Sequence, residues 1–437
     1  MRKLLLALVL ASGGLLAVFL YQQLVVEGTM GPAAMVGVGV LTLLFTALTL
    51  TWALHGTRFG DIVSKLWLAG FACAISYFAI DVAAGWILIQ PLSPPLVPDA
   101  YRHHRLVPNS HAEFRQRDFA YVQRVNSLGL RGAEVAVDKP AGTYRVLMLG
   151  DSFTMGKGVE DDQTSSVLLA RALGEARAAC GGGPVEVING GVDSYAPVLS
   201  LIALTRDLQA LDPDLVILNL DVSDLAQEQA YRGIGVRDST GAVVAVPQLT
   251  SSESTYDRIR AWTERHLFFT RVLLFYANRR LNYSDVSVRA VVTEANREIT
   301  AYTLEGDTAD RTGQWREIFD SIRRMREFEA THGGEFLLTI YPWAHEITDT
   351  QWVPGREAFM PAGAKASGVR RETVLRLAAE HGIEVVDLFP VFAGRVGDEK
   401  LYFDHDMHWT PAGNRVMADG LTDYLVPRQA SRWCARP

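Results

Sequence analysis

Apolar and polar positions divide the chain into two parts. Before residue 90, apolar residues form three stretches of roughly 20 residues, the length that crosses a bilayer. The stretches are about Leu4 to Val26, Ala33 to Leu54 and Leu66 to Ile89. After residue 118, short apolar runs alternate with segments of helical periodicity. The pattern predicts a membrane domain over 1–90, an intervening segment over 91–118 and a folded domain over 119–437.

The charges between the apolar stretches predict their orientation. Arg2 and Lys3 before the first stretch also suit a signal peptide, but its length and the two stretches behind it favour an anchor. Arg58 and Lys65 lie between the second and third stretches, whereas 27–32 contains no Lys or Arg. Because positive loops stay cytoplasmic, we predict three transmembrane helices in a bacterial inner membrane, with the C-terminal part in the periplasm or another extracytoplasmic space.

Two further segments have their own patterns. Prolines between residues 91 and 98 predict a stiff, extended linker that leads away from the membrane. From about Tyr256 to Tyr283, Arg residues stand beside Trp and Phe in a helical pattern. This pattern predicts an amphipathic helix, which packs on its own domain, lies at the membrane interface or covers a site as a lid.

Short apolar runs separated by helical segments characterise 119–437. The predicted strands are Val146 to Leu149, Val185 to Ile188, Leu215 to Leu220, Phe336 to Tyr341 and Val385 to Leu388. Strands that alternate with helices form a parallel sheet with helices on both faces. The predicted fold class is therefore α/β, a three-layer α/β/α sandwich with a parallel sheet, preceded by the three transmembrane helices.

Charge and cysteine content exclude some classes of function. The formal net charge is −7 and the pI is about 5.8, which disfavours a nucleic-acid-binding protein. Cys180 and Cys434 lie in the part predicted to be exported, where oxidising conditions permit a disulfide, and their pairing is a hypothesis. No Cys-x-x-Cys or Cys/His spacing indicates structural zinc, and no cofactor is predicted.

Candidate chemistry begins at Gly150-Asp151-Ser152, which follows the first predicted strand and opens a helix. Ligands bind at this edge of open α/β sheets, although Asp and Ser are also ordinary helix caps. Near the far end of the chain stands Asp406-Met407-His408-Trp409. A serine nucleophile requires a general base, and that base benefits from a carboxylate that fixes its tautomer.

Together the two blocks resemble the SGNH (GDSL) hydrolase family over roughly Asn126 to Val426. The resemblance implies Ser152 as nucleophile, His408 as base and Asp406 as its carboxylate, with Asp404 in reserve. The Asp-x-His spacing is similar to that of the subgroup of membrane-anchored alginate and cellulose O-acetylation proteins. The resemblance therefore implies chemistry on acetyl groups.

The resemblance also implies the positions of an oxyanion hole, and at two of them this chain has residues that differ from the family's usual ones. The Ser152 amide is one donor. Ser194 stands at the best match for the Gly of the second block, and Gly190 or Gly191 would substitute in another register. Ser223 stands where the third block has Asn, and its shorter hydroxyl implies a different or weaker hole.

Two other groups of residues have open interpretations. Trp343 and His345 follow the fourth predicted strand and either line an acceptor-sugar site or pack as a loop. The run from Asp404 to His408 also offers carboxylates and imidazoles that suit a divalent metal, although no other segment completes such a site.

The resemblance implies a membrane-anchored serine esterase or O-acyltransferase that acts through an acyl-serine on acetyl groups of a cell-envelope or exported polysaccharide. Its implied partners are the polysaccharide or another acylated glycan, the membrane and a membrane protein that donates acyl groups. A non-catalytic carbohydrate-binding or assembly protein is the main alternative, because Ser194 and Ser223 replace family residues. A metal-dependent phosphodiesterase or phosphatase ranks third.

Overall fold

The computed structural model describes residues 2–21, 42, 45–49, 51–54, 56–88, 96–248, 262–263, 266–270, 272–273 and 296–434. The chain forms two compact units. Residues 1–90 and 257–276 make up the first, and residues 91–256 and 277–437 make up the second. The second unit includes residues 91–118, which precede the predicted folded domain, and the segment 257–276 belongs to the first unit.

The first unit contains helices α1 (Arg2–Tyr21) and α2 (Arg58–Leu88). Among the described residues, Arg58–Trp86 is the one helical stretch with the length and hydropathy needed to cross a bilayer, and the apolar stretch Leu6–Ala17 is shorter. Most of the second predicted span, Ala33 to Leu54, lies outside the described residues. Three transmembrane helices therefore stay a prediction.

A buried carboxylate joins α2 to the segment 266–270 within the first unit. The Asp81 side chain is fully buried and accepts hydrogen bonds from the amides of Phe269 and Thr270 and from the Thr270 hydroxyl. At Gly85, an added Cβ would lie 2.0 Å from the His266 carbonyl oxygen, so a side chain does not fit there. A buried carboxylate requires such partners, and here the same chain supplies them.

The second unit contains the strands. In chain order they are β1 Leu96–Asp99, β2 His103–Leu106, β3 Ser110–Arg115, β4 Ala120–Val125, β5 Tyr144–Leu149, β6 Val185–Asn189, β7 Leu215–Leu220, β8 Val236–Arg237, β9 Val243–Ala245, β10 Glu335–Ile340 and β11 Val385–Asp387. The α-helices with both ends among the described residues are α3 Ser152–Met155, α4 Ser165–Ala179, α5 Pro197–Ala203, α6 Asp224–Ile234, α7 Thr312–His332, α8 Val369–Glu380, α9 Phe389–Ala393 and α10 Pro411–Trp433. Short 3-10 or π turns cover Asp161–Gln163, Leu204–Leu208, Gln209–Leu211, Ala344–Glu346 and Gly355–Ala358.

Five parallel strands form the central sheet, in the spatial order β11-β10-β7-β5-β6. The connection from β5 to β6 runs in one direction across the sheet, and the connection from β6 to β7 runs back. Right-handed crossovers in opposite directions place their helices on opposite faces, which gives the expected layered α/β fold. All five predicted strands are confirmed to within about two residues.

The sheet is buried on both faces, as parallel sheets are. Every residue of β5 and β7 is buried, which explains their continuous apolar runs. Helices α4 and α10 pack together, and a disulfide joins Cys180 at the end of α4 to Cys434 at the end of α10. The hypothesis of this pairing is confirmed.

Two antiparallel hairpins precede the sheet, where the sequence predicted a linker over 91–118. Strand β1 pairs with β2, and β3 pairs with β4. The second strand buries His104 and Leu106 and leaves the alternate positions partly exposed. Charged residues and histidines obscure this alternation, because a hydropathy pattern does not identify a buried histidine as a core position.

Candidate active site

A tight turn presents Ser152 at the carboxyl end of β5. Gly150 has φ of +152°, and a Cβ there would lie 2.3 Å from the Thr154 hydroxyl oxygen. The Asp151 carboxylate caps α3 by accepting a hydrogen bond from the Phe153 amide at 2.9 Å. Ser152 is therefore the first residue of a helix whose approach to the strand requires glycine.

Two buried side chains hold the short helix α3 in place. Arg131 donates to the carbonyl oxygens of Met155 and Gly156, at 3.0 and 2.5 Å, and pairs with Asp161 at 3.0 Å. Asn189, at the end of β6, donates to the Thr154 carbonyl at 3.0 Å. These bonds satisfy the last carbonyls of a helix that is too short to stabilise itself.

Ser152, His408 and Asp406 form a continuous chain of hydrogen bonds. The Ser152 Oγ lies 2.6 Å from His408 Nε2, and His408 Nδ1 is hydrogen-bonded to Asp406 Oδ1. The His408 amide also donates to that carboxylate oxygen at 3.0 Å. Because an ionised carboxylate only accepts, Nδ1 carries the proton and Nε2 accepts from the serine hydroxyl. The three residues predicted from sequence therefore lie together in the arrangement that activates a serine.

The surroundings keep Asp406 ionised. Burial alone would raise its pKa, but the charge of His408, hydrogen bonds from its ring and amide, and the charge of Lys157 lower the pKa of Asp406 to about 2. Ser152 is 7% exposed and His408 is 4% exposed. The reacting atoms therefore lie in a largely enclosed site with a fixed negative charge behind the imidazole.

Asp118 holds the turn that carries Asp406. Its carboxylate accepts from the His405 amide at 2.6 Å, from His405 Nδ1 at 2.7 Å and from the Asp406 amide at 3.1 Å. The sequence did not identify Asp118, which lies in the expected linker. In the sequence, Asp118 is distinguished only by its position as an acidic residue directly before the predicted domain.

The other titratable residues of the segment 404–408, Asp404 and His405, have partners outside the Ser152–His408–Asp406 chain. Asp404, the reserve carboxylate, pairs with Lys400 at 2.5 Å, and His405 pairs with Asp118. Across the described residues, the structure contains no group of three or more His, Cys, Asp or Glu side chains that could hold a metal ion.

Two of the four predicted oxyanion donors have amides that are free to bind a substrate. Among the described residues, neither the Ser152 amide nor the Ser194 amide donates to a protein acceptor. The Gly191 amide instead donates to Asn189 Oδ1 at 3.0 Å. The Ser223 amide and hydroxyl both donate to Asp221 Oδ2, at 2.8 and 2.7 Å. The structure therefore favours the Ser152 and Ser194 amides as oxyanion donors. The Gly191 amide and the Ser223 hydroxyl already donate to protein acceptors.

Trp343 and His345 lie inside the protein rather than on a sugar-binding surface. Trp343 is 2% exposed, and its Nε1 donates to Asp221 Oδ1 at 2.6 Å. His345 Nε2 lies 2.8 Å from the Thr303 hydroxyl. Burial, followed by the charge of Arg370, lowers the pKa of His345 to about 3. Both side chains are buried, so of the two interpretations the structure favours packing over contacts with a sugar.

Buried carboxyl groups surround the nucleophile turn. Burial, followed by the charges of Asp221 and Asp224, raises the pKa of Asp151 well above its usual range. Burial and the charge of Asp221 also raise the pKa of Asp224. The raised pKa values limit the negative charge that these aspartates place beside Ser152.

Comparisons with known proteins agree with this arrangement. The sequence model of the GDSL-like Lipase/Acylhydrolase family matches residues 148–416, more than half of the chain. No curated protein matches the chain.

Two solved structures illustrate the similarity. A member of the lipolytic protein G-D-S-L family from Veillonella parvula is 12% identical, with a TM-score of 0.33 over 64% of this chain and 97% of that chain. A catalytic mutant of Axe2, an acetylxylan esterase from Geobacillus stearothermophilus, is 12% identical, with a TM-score of 0.34 over 67% of this chain and 95% of that chain. Because the matched family region extends from the nucleophile strand β5 into α10 and contains Ser152, Asp406 and His408, the chain belongs to the GDSL-like lipase/acylhydrolase family.

Proposed function

We propose that the protein is a serine esterase or O-acyltransferase with Ser152 as nucleophile, His408 as general base and Asp406 as the orienting carboxylate. The hydrogen-bond chain from Ser152 Oγ through His408 to Asp406 is the observation that carries this proposal. Serine hydroxyls are poor nucleophiles at neutral pH, and this chain provides the base that activates one.

The reaction proceeds in two acyl transfers. Ser152 Oγ forms a bond to the ester carbonyl carbon as its proton passes to His408 Nε2. The bond from that carbon to the alcohol oxygen then breaks, and His408 returns the proton to the departing alcohol. Water or a sugar hydroxyl next attacks the acyl-serine as His408 accepts its proton. The bond from the acyl carbon to Ser152 Oγ then breaks, and His408 returns the proton to Oγ. The amides of Ser152 and Ser194 donate to the oxyanion of each tetrahedral intermediate.

The acyl group that we propose is acetyl, on a cell-envelope or exported polysaccharide. The low exposure of Ser152 and His408 favours a short acyl chain over a long one. The apolar helix Arg58–Trp86 supports a membrane-anchored protein. Charges on either side of the apolar stretches support an inner-membrane location with the second unit in the periplasm. Transfer to a sugar, with a membrane partner as acyl donor, is part of the same proposal.

Initial rates on 4-nitrophenyl esters test the acyl-serine step. The full-length chain in detergent is assayed on the acetyl and octanoyl esters, with Ser152→Ala, His408→Ala and, as a matched control, the exposed Ser239→Ala. We expect the two site variants to lose at least about a thousandfold in kcat and Ser239→Ala to keep wild-type rates. We also expect the acetyl ester to be preferred.

The same protein distinguishes hydrolysis from transfer. An acetylated oligosaccharide acceptor that forms only with intact Ser152 would indicate an acyltransferase, and release of acetate alone would indicate an esterase. A folded wild type no faster than Ser152→Ala would contradict the proposal. That result would favour a non-catalytic carbohydrate-binding protein. The Ser223 hydroxyl supports this alternative, because it donates to Asp221 and is not available to an oxyanion.

A further inference from the structure

The loop that carries Ser194 has an unusual backbone. Ser194 has φ of +61°, in the left-handed region that residues with a Cβ atom seldom adopt. The peptide groups on both sides of Ser194 are held by side chains from elsewhere. His104 Nε2 lies 2.6 Å from the Asp193 carbonyl oxygen, and the Tyr231 hydroxyl donates to the Ser194 carbonyl oxygen at 3.0 Å.

The contact between His104 and Asp193 fixes the tautomer of the imidazole. A carbonyl oxygen only accepts, so His104 Nε2 carries a proton. The Nδ1 of neutral His104 is then an acceptor, and His103 Nδ1, at 2.8 Å, donates to it. The Tyr195 hydroxyl donates to the His104 carbonyl oxygen at 2.7 Å. His104 is buried between these partners, so its ring has one orientation.

The bonded carbonyl belongs to the peptide group whose N–H is the Ser194 amide. In a planar trans peptide, the C=O and N–H point in opposite directions. A bond that holds the Asp193 carbonyl toward His104 therefore holds the Ser194 N–H away from it, where no described residue accepts its hydrogen. The same bond polarises the peptide group and makes the N–H a stronger donor.

We propose that His104 is a positioning residue, which orients and polarises the Asp193–Ser194 peptide so that the Ser194 amide stabilises the oxyanion. This inference rests on the proposed acyl-serine chemistry and adds a residue from the β1–β2 hairpin, upstream of the matched family region. It also explains how Ser replaces the family's Gly at a left-handed position. Side-chain contacts on both flanks maintain the conformation that glycine would otherwise adopt freely.

The test separates an oxyanion effect from a loss of folding. His104→Leu removes the donor, His104→Gln retains an N–H at a similar distance along the side chain, and the exposed His111→Leu in the neighbouring hairpin is the matched control. Each variant is made in the full-length chain, and its thermal unfolding, kcat and KM are measured with 4-nitrophenyl acetate. Oxyanion donors act mainly in the transition state, so their loss lowers kcat more than it changes KM.

We expect His104→Leu to lower kcat at least about tenfold with KM within about twofold, whereas His104→Gln recovers most of the rate and His111→Leu is unchanged. Tyr231→Phe removes the bond on the other flank and gives a smaller loss of kcat. The inference is overturned if folded His104→Leu keeps wild-type kcat, or if His104→Gln is as slow as His104→Leu.

A second measurement keeps the two proposals apart. If the wild type has no turnover that depends on Ser152, the proposed function fails, and crystal structures of wild type and His104→Leu decide the inference. A rotated Asp193–Ser194 peptide in the variant supports the positioning role, and an unchanged peptide refutes it.

Discussion

Two loops serve the chemistry proposed at Ser152, and they are stabilised in different ways. The acid–base loop, 404–408, places Asp406 and His408 two residues apart, and Asp118 holds it with three hydrogen bonds. In the oxyanion loop, 193–195, Ser194 is a non-glycine residue at positive φ. His104 bonds the Asp193 carbonyl and Tyr231 bonds the Ser194 carbonyl. The contact between Asp406 and His408 is therefore local in sequence, whereas the support of both loops comes from distant residues.

The two loops nevertheless share a support. His104 and Asp118 both come from the hairpins over 96–125, which precede the central sheet in the same compact unit. One donates a hydrogen bond to the oxyanion loop, and the other accepts hydrogen bonds from the acid–base loop. The segment that leads from the first unit to the sheet is therefore part of the candidate site.

The largest effect that we expect on the acid–base loop is a loss of stability in acid. Folded Asp406 stays ionised down to about pH 2, whereas the unfolded carboxyl protonates near 3.8, so the unfolded chain binds more protons between these values. The free energy of unfolding should therefore fall by about 2 kcal/mol as the pH falls through this window. Denaturant titrations of wild type and Asp406→Asn measure it, and equal pH dependence in both would contradict the prediction.

A smaller effect should follow from loosening the same loop. Asp118→Asn cannot accept from all three donors, because an amide has one oxygen. The turn should shift and kcat should fall about tenfold, since small misplacements of catalytic groups slow reactions. Steady-state kinetics with the exposed Asp138→Asn as the control measure the change. Wild-type kcat in Asp118→Asn would show that the loop holds its geometry without this carboxylate.

The smallest effect should come from the oxyanion side at Ser223. Its hydroxyl donates to Asp221, so Ser223→Ala should keep kcat within about threefold of wild type. Initial rates on the acetyl ester measure this. A loss of about a hundredfold, the size expected for an oxyanion donor, would show that the hydroxyl turns toward the substrate during the reaction.

The features that could be predicted from the sequence are those that depend on residues close together in the chain. Continuous apolar runs revealed β5 and β7 because both faces of the sheet are buried. The blocks around Ser152 and His408 were recognisable because the chemistry requires these residue types close to strand ends and helix starts. The disulfide could be predicted because the part expected to be exported contains only two cysteines, Cys180 and Cys434.

The positioning residues could not be identified in this way. Asp118 lies 287 positions before His405, and His104 lies 89 positions before Asp193, so no local pattern connects them. The side chain of Ser223 is directed by Asp221, a detail of turn geometry rather than of composition. The sequence left Trp343 open between a sugar site and a packed loop, and in the structure it packs against Phe153, Trp352 and Phe359. These are outcomes of tertiary packing.

The Asp81 contact in the first unit has a practical consequence for protein production. A chain truncated at Pro91 would retain 257–276 and lose α2, so the Phe269 and Thr270 amides would have no carboxylate to bind. Phe269 and Leu273 are already 44% and 64% exposed, and removing α2 would expose the segment further to water. Such a fragment should aggregate during purification. A water-soluble protein should therefore be engineered by deleting both 1–90 and 257–276, with a flexible connection in place of the second.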